Sequence, residues 1–146
     1  MPLNQRGFTL TESLIALAVT SILASFSIPG ITRFYDHFQL NRVISVLQSD
    51  LHRVRDYNVV PLQGGESKSL VIHHQEGTYD LVIGNRTLLT RQLPSQVVIE
   101  GSGTTSITFT SSGTISRAGS LIISSRYTTR RMVFSIGIGG IDIRDY

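Results

Sequence analysis

The chain has 146 residues, a formal net charge of +3, no cysteine and no tryptophan. One ordinary domain, or a modest domain with an appended segment, fits that length; the missing cysteines exclude a disulfide framework, a thiolate zinc site and a thiol nucleophile. Only 16% of residues are charged against a norm of about 25%, so some part of the chain is unusually apolar.

That part is the front. From Gly7 to Thr32 the one charged side chain is Glu12. As a helix, residues 8–32 would extend roughly 37 Å, more than a hydrocarbon core of about 30 Å. A short leader carrying Arg6 precedes the span, which favours the leader on the cytoplasmic side and the remaining chain outside. A secretory signal with a cut near Ser25-Phe26-Ser27, a plain signal anchor and a buried core helix all compete for this pattern. None of them wants a carboxylate near the start of the apolar run, because an ionisable group in lipid is costly and marks a functional site by default. Pro29-Gly30 then predicts a kink or the end of the span, since Pro29 lacks a donor and clashes with the preceding turn.

Residues 33–58 change to an amphipathic helical period. Phe34, Phe38, Ile44, Leu47, Leu51 and Val54 are expected to pack on a sheet, with Arg42, Asp50, Arg53 and Asp56 facing solvent. After Pro61 and Gly64-Gly65 the pattern becomes short apolar or alternating runs. Strands are predicted at 69–73, 78–83, 87–92, 97–100, 107–110, 114–117, 121–125, 132–136 and 141–143, separated by glycine-containing turns. In the last two, Met132, Phe134, Ile136, Ile141 and Ile143 should share an inner face, leaving Asp142 and Arg144 outside. A long helix followed by an antiparallel sheet is an α+β fold.

The segment Arg6-Gly7-Phe8-Thr9-Leu10-Thr11-Glu12-Ser13-Leu14 resembles the class III signal of type IV pilins and pseudopilins. The resemblance implies a cleaved leader at 1–7, cut after Gly7 by a prepilin peptidase that also N-methylates the new first residue, Phe8. It makes Glu12 the family's glutamate at the fifth mature position. Its role there is assembly: the carboxylate meets the amine of a neighbouring subunit within the helical core, and losing one partner would strand the other charge in lipid. Four parts follow: leader 1–7, transmembrane and pilus-core helix 8–32, amphipathic helix 33–58, and a β-rich globular domain 59–146 in a pilin-like fold.

Two later stretches also carry a resemblance. Ile107-Thr-Phe-Thr-Ser-Ser-Gly-Thr-Ile-Ser-Arg-Ala-Gly-Ser-Leu-Ile-Ile123 and Arg131-Met-Val-Phe-Ser-Ile-Gly-Ile-Gly-Gly-Ile-Asp-Ile143 resemble the H-type minor pseudopilins (the GspH/FimT group). They are also similar to the ComGD competence pseudopilins, toward which Tyr79-Asp-Leu-Val-Ile-Gly-Asn85 tips the balance. What this implies is a minor pseudopilin of a DNA-uptake pilus or, alternatively, of a type II secretion system. Its partners would be other major and minor pseudopilins, the prepilin peptidase, an inner-membrane assembly platform and, before assembly, the membrane itself.

DNA is a further candidate partner. Residues 33–100 carry seven basic and seven acidic side chains, whereas 101–146 carry five arginines against two aspartates. Arg117, Arg126, Arg130, Arg131 and Arg144 are therefore the candidates for contact with DNA or a protein partner, beside the alternative that they form an ordinary solvated face. The family's DNA-binding Gly-Arg-x-Arg motif has no counterpart in Gly139-Gly140-Ile141-Asp142. His73 and His74, adjacent in a predicted strand, point to opposite faces and make a poor metal pair. No enzyme, cofactor or metal is expected.

Overall fold

The computed structural model describes residues 9–60, 66–101, 103–136 and 140–145, with the side chains of 26–29 excepted. One helix, α1 (Leu10–Val59), is followed by eight strands: β1 (Lys68–His73), β2 (Thr78–Ile83), β3 (Arg86–Gln92), β4 (Val98–Glu100), β5 (Thr104–Thr108), β6 (Gly119–Ser124), β7 (Thr129–Phe134) and β8 (Ile141–Asp145). The chain divides into two compact units, 1–35 and 36–146, and α1 contributes residues to both.

In the first unit every described side chain, 9–25 and 30–35, is exposed. This stretch of α1 is long and apolar enough to cross a membrane by length and composition. Its hydroxyls are satisfied within the helix. Thr20 donates to the carbonyls of Ala16 and Leu17, Ser21 to that of Leu17, and Ser25 to that of Ser21, each at 2.8–2.9 Å. Such back-bonding removes the cost of carrying a hydroxyl on a lipid-facing helix.

The second unit is an α+β domain in a pilin-like layout. Leu40, Val43, Ile44, Leu47, Leu51 and Val54 form the buried stripe of its helical segment, and full burial of each is worth about 1.5–3 kcal/mol. They join one core with Leu70 and Ile72 of β1, Tyr79 and Leu81 of β2, Leu121 and Ile123 of β6, and Met132 and Phe134 of β7. Alternation along each strand places these residues on one side, as the period of two requires.

The strands form two antiparallel four-stranded sheets, ordered β3-β2-β1-β5 and β4-β6-β7-β8. Expected as one sheet, they are two because β4 leaves the first sheet and pairs with β6, through Ile99 opposite Ile123. The connection is tied by His74, just past β1. Its Nδ1 lies 3.0 Å from the Ile99 carbonyl oxygen and its Nε2 2.8 Å from the Thr105 hydroxyl. Gly101 is required beside it, since a Cβ there would sit 2.5 Å from the imidazole Cε1. The β2–β3 hairpin turns on Gly84, whose φ of 53° suits glycine.

Several sequence expectations need correction. Residues 114–117 form no strand; only Ile115 bridges, to Phe109, because Thr110, Ser112 and Thr114 bond to one another in a turn. Phe34 and Phe38 are 74% and 56% exposed, so the buried stripe begins at Leu40. Ile136 is exposed because β7 ends at Phe134, two residues short of the expected end. Ile141 and Ile143 do pack partly against the core, opposite Phe134 and Met132. Asp50, expected in solvent, is 1% exposed.

Candidate assembly site

The chemistry of the first unit is concentrated at the start of α1. Thr9 and Glu12 make a reciprocal cap: the Thr9 backbone N–H and hydroxyl each donate to Glu12 Oε2 at 2.9 Å, and the Glu12 N–H donates back to Thr9 Oγ1 at 3.3 Å. With the Ser13 N–H on the Thr9 carbonyl at 3.1 Å, this is a capping box, which satisfies helix donors that have no intrahelical partner. Its signature, Thr-x-x-Glu before an apolar run, stands in the sequence and the resemblance reading passed over it. The Glu12 carboxylate is thus held at the helix N-terminus by its own chain, where the helix dipole favours negative charge. It remains fully accessible to an outside cation, since Thr9, Leu10 and Glu12 are all exposed. Gly7 and Phe8, the expected cleavage and methylation residues, lie outside the described residues. Pro29 falls within α1 among the residues whose side chains are not described, so the expected kink lies there too.

The five arginines are dispersed. On β7, Arg130 and Arg131 are consecutive and point to opposite faces. Arg130 pairs with Asp145. Arg131 stands directly across from Arg144, whose Nε bonds Asp142 Oδ2 at 2.8 Å. Arg126 lies 5.3 Å from the ring centroid of Tyr127 in the β6–β7 turn. Arg117 lines a separate depression with Ser106 and Thr108. Only Arg131 and Arg144 are brought together.

Within the second unit, polar anchors that sequence reasoning missed fix α1 to the strands. Asp50 accepts from the Tyr79 hydroxyl at 2.9 Å and from Arg91 Nε at 2.7 Å, with Arg53 at 3.6 Å. Burial, then the hydrogen bond to Asp50, pushes the Tyr79 phenol well above its ordinary pKa; the same carboxylate raises that of Arg91. Asp36 accepts from the Ser125 hydroxyl at 2.6 Å and the Tyr127 N–H at 3.1 Å, holding the β6–β7 turn. Asn58 donates to the carbonyls of Lys68 and Phe109 and accepts from the Lys68 N–H. A hydrophilic residue in phase with an apolar stripe is the one available sequence signal: Asp36, Asp50 and Asn58 sit three to four residues from Leu40, Leu47 and Val54. His73 and His74 do diverge, the former to Asp80 at 3.2 Å and the latter to the β4–β5 connection.

An α+β, pilin-like chain with an exposed apolar N-terminal helix is the class of protein that this arrangement defines. Residues 2–28 match the family described as the prokaryotic N-terminal methylation motif. The match supports a pilin or pseudopilin of the type IV kind, a family of structural proteins, anchored in a membrane by this helix. No match was found among curated proteins or solved structures.

Proposed function

We propose that this chain is a minor pseudopilin of a type IV pilus-like competence machine, entering or priming a pilus that takes up DNA for transformation. The observation that carries the reading is the N-terminal methylation motif over 2–28, with Glu12 five residues into the chain that would begin at Phe8. Cleavage after Gly7 by a prepilin peptidase frees the Phe8 amine, and its methylation keeps that amine cationic. Glu12 is exposed and oriented by Thr9, so a neighbouring subunit's amine can approach a carboxylate already fixed in place. The exposed apolar residues of α1 supply the packing surface, first with lipid and then with other pseudopilins. The domain of 36–146, with its own buried core, would stand outside the cytoplasm and then at the surface of the pilus.

Competence is preferred over type II secretion on the resemblance of residues 79–85 and of the closing strands to competence pseudopilins. Deletion of the gene separates the two machines. Loss of transformation with exoprotein release unchanged supports the competence reading. The opposite pattern assigns the chain to secretion, and normal transformation and secretion together refute both.

A further inference from the structure

Hairpin turns favour residues that tolerate unusual backbone angles, and two turns of this domain follow that rule. The β1–β2 turn uses Gly77 and the β2–β3 turn Gly84, both at positive φ. The β6–β7 turn does not. It runs Ser125-Arg126-Tyr127-Thr128 and is closed by the Ser125 N–H donating to the Thr128 carbonyl at 2.8 Å. Its two tip residues, Arg126 and Tyr127, are both exposed, and turn chemistry accounts for neither. What holds the tip is Asp36, through the Ser125 hydroxyl and the Tyr127 N–H. A carboxylate only 4% exposed is thus given over to fixing a surface turn.

The place of Asp36 in the chain supplies a reason. After Glu12 the apolar run meets its next charge at Arg33, and Asp36 follows three residues later in the same helix. Three residues of helix extend about 4.5 Å, less than the depth of one headgroup layer, about 5–7 Å. Phe34, Tyr35 and Phe38, on either side of Asp36 in sequence, are all exposed. A tyrosine ring, apolar with one polar end, settles where hydrocarbon gives way to headgroups. Chain connectivity therefore keeps the tip within reach of a bilayer surface, whatever angle the two units make.

We propose that the β6–β7 tip is a second membrane contact, with Arg126 on the phosphate of an anionic phospholipid and the Tyr127 ring among the headgroups. Resting on the anchoring of α1 in a membrane, this contact adds a part of the globular domain to it. Charge agrees with a lipid partner. Arg126 makes no ion pair among the described residues and stands 5.3 Å from the Tyr127 ring centroid. Asp36 is buried and occupied by the turn itself, and Asp145, the next acid along the strand register, pairs with Arg130. The contact belongs to the membrane stage and is released when the chain enters a filament.

The chain contains no tryptophan, so a single introduced one reports its own surroundings. The full chain carrying Tyr127→Trp is reconstituted at low density in vesicles of phosphatidylcholine and phosphatidylglycerol, a fraction of them spin-labelled on the headgroup. Phe34→Trp reports the helix at the membrane surface. Ile136→Trp, exposed beyond the other end of β7, reports a part of the domain away from the tip. The expected quenching of Tyr127→Trp is close to that of Phe34→Trp and several-fold above that of Ile136→Trp. Adding Arg126→Glu, omitting phosphatidylglycerol or raising the salt should each reduce it at least twofold. Thr128→Trp, at a residue that closes the turn through its backbone carbonyl, is the second probe should Tyr127→Trp disturb folding. Quenching of Phe34→Trp alone, with both tip probes no higher than Ile136→Trp, overturns the tip contact and leaves the anchoring intact. So does tip quenching indifferent to Arg126→Glu and to lipid charge. Tip emission that follows protein density and ignores the labelled lipid assigns the tip to a second copy, and also overturns it. An unquenched Phe34→Trp overturns the anchoring as well.

Discussion

The two stretches of α1 use polar residues in opposite ways. Among the described side chains from Leu10 to Tyr35 the apolar ones are exposed all round, and Thr20, Ser21, Ser25 and Glu12 are answered locally, by carbonyls three or four residues back or by the Thr9 cap. In the second stretch the apolar residues from Leu40 to Val54 form one buried stripe, and polar residues in phase with it reach across to strands and turns. Asp36, Asp50 and Asn58 bind partners up to 91 residues away. A solvent of lipid or sister helices asks a helix to be self-sufficient, while a folded domain asks it to be anchored. A single charge in the first stretch is thus answered within its own turn of helix, while one in the second fixes the helix to strands; the assembly role proposed for Glu12 rests on that difference.

Removing those charges should separate the two uses. The largest effect is expected from Glu12→Ala, which should leave leader processing and the globular domain unchanged yet abolish incorporation into filaments. Immunoblots of membrane and sheared fractions measure it, and normal incorporation would refute the assembly role. Next comes Arg91→Met. It leaves Asp50 buried with only Tyr79 and a distant Arg53, and should cost about 2–4 kcal/mol in denaturant unfolding of the detergent-solubilised chain. An unaltered midpoint would show that Asp50 is not an anchor.

Asn58→Ala should cost about 1–3 kcal/mol, since it strands the Lys68 and Phe109 backbone groups that the amide satisfies. Tyr79→Phe should be milder at neutral pH, about 1 kcal/mol for one hydrogen bond to a carboxylate that keeps Arg91. Its pH signature is distinctive. The folded-state pKa of Tyr79 is raised, so its contribution is complete below the unfolded value of about 10 and falls as pH climbs beyond it. Stability curves taken from neutral to alkaline pH should therefore decline less steeply in the variant, and parallel curves would contradict the assignment.

The sequence made the first stretch legible because lipid imposes a constraint along the chain: length, apolarity and one misplaced carboxylate are visible in a string. The helix-to-strand change after residue 60 was legible for the same reason, being a change of period. The second stretch was harder. Asp50 reads as a solvated residue until Tyr79 and Arg91, 29 and 41 positions on, are seen to converge on it. Phe34 and Phe38 fit the apolar stripe by spacing, and only the position of the core shows that the stripe starts later. The division into two sheets was beyond periodicity, since nothing local in Val98–Glu100 states which neighbour it will pair with. Of the C-terminal arginines only Arg131 and Arg144 meet, because alternation along β7 sends Arg130 and Arg131 to opposite sides.

The imidazole of His74 is fixed from both ends by the Ile99 carbonyl and the Thr105 hydroxyl, and so cannot swing away from position 101. The two positions are therefore not independent: a methyl at 101 is intolerable while the ring is present and harmless once it is gone. Gly101→Ala should injure the natural chain more than the His74→Ala variant, a coupling that a double-mutant cycle reads directly. Over generations a histidine at 74 would commit its lineage to glycine 27 residues later, and the loss of one would release the other to drift.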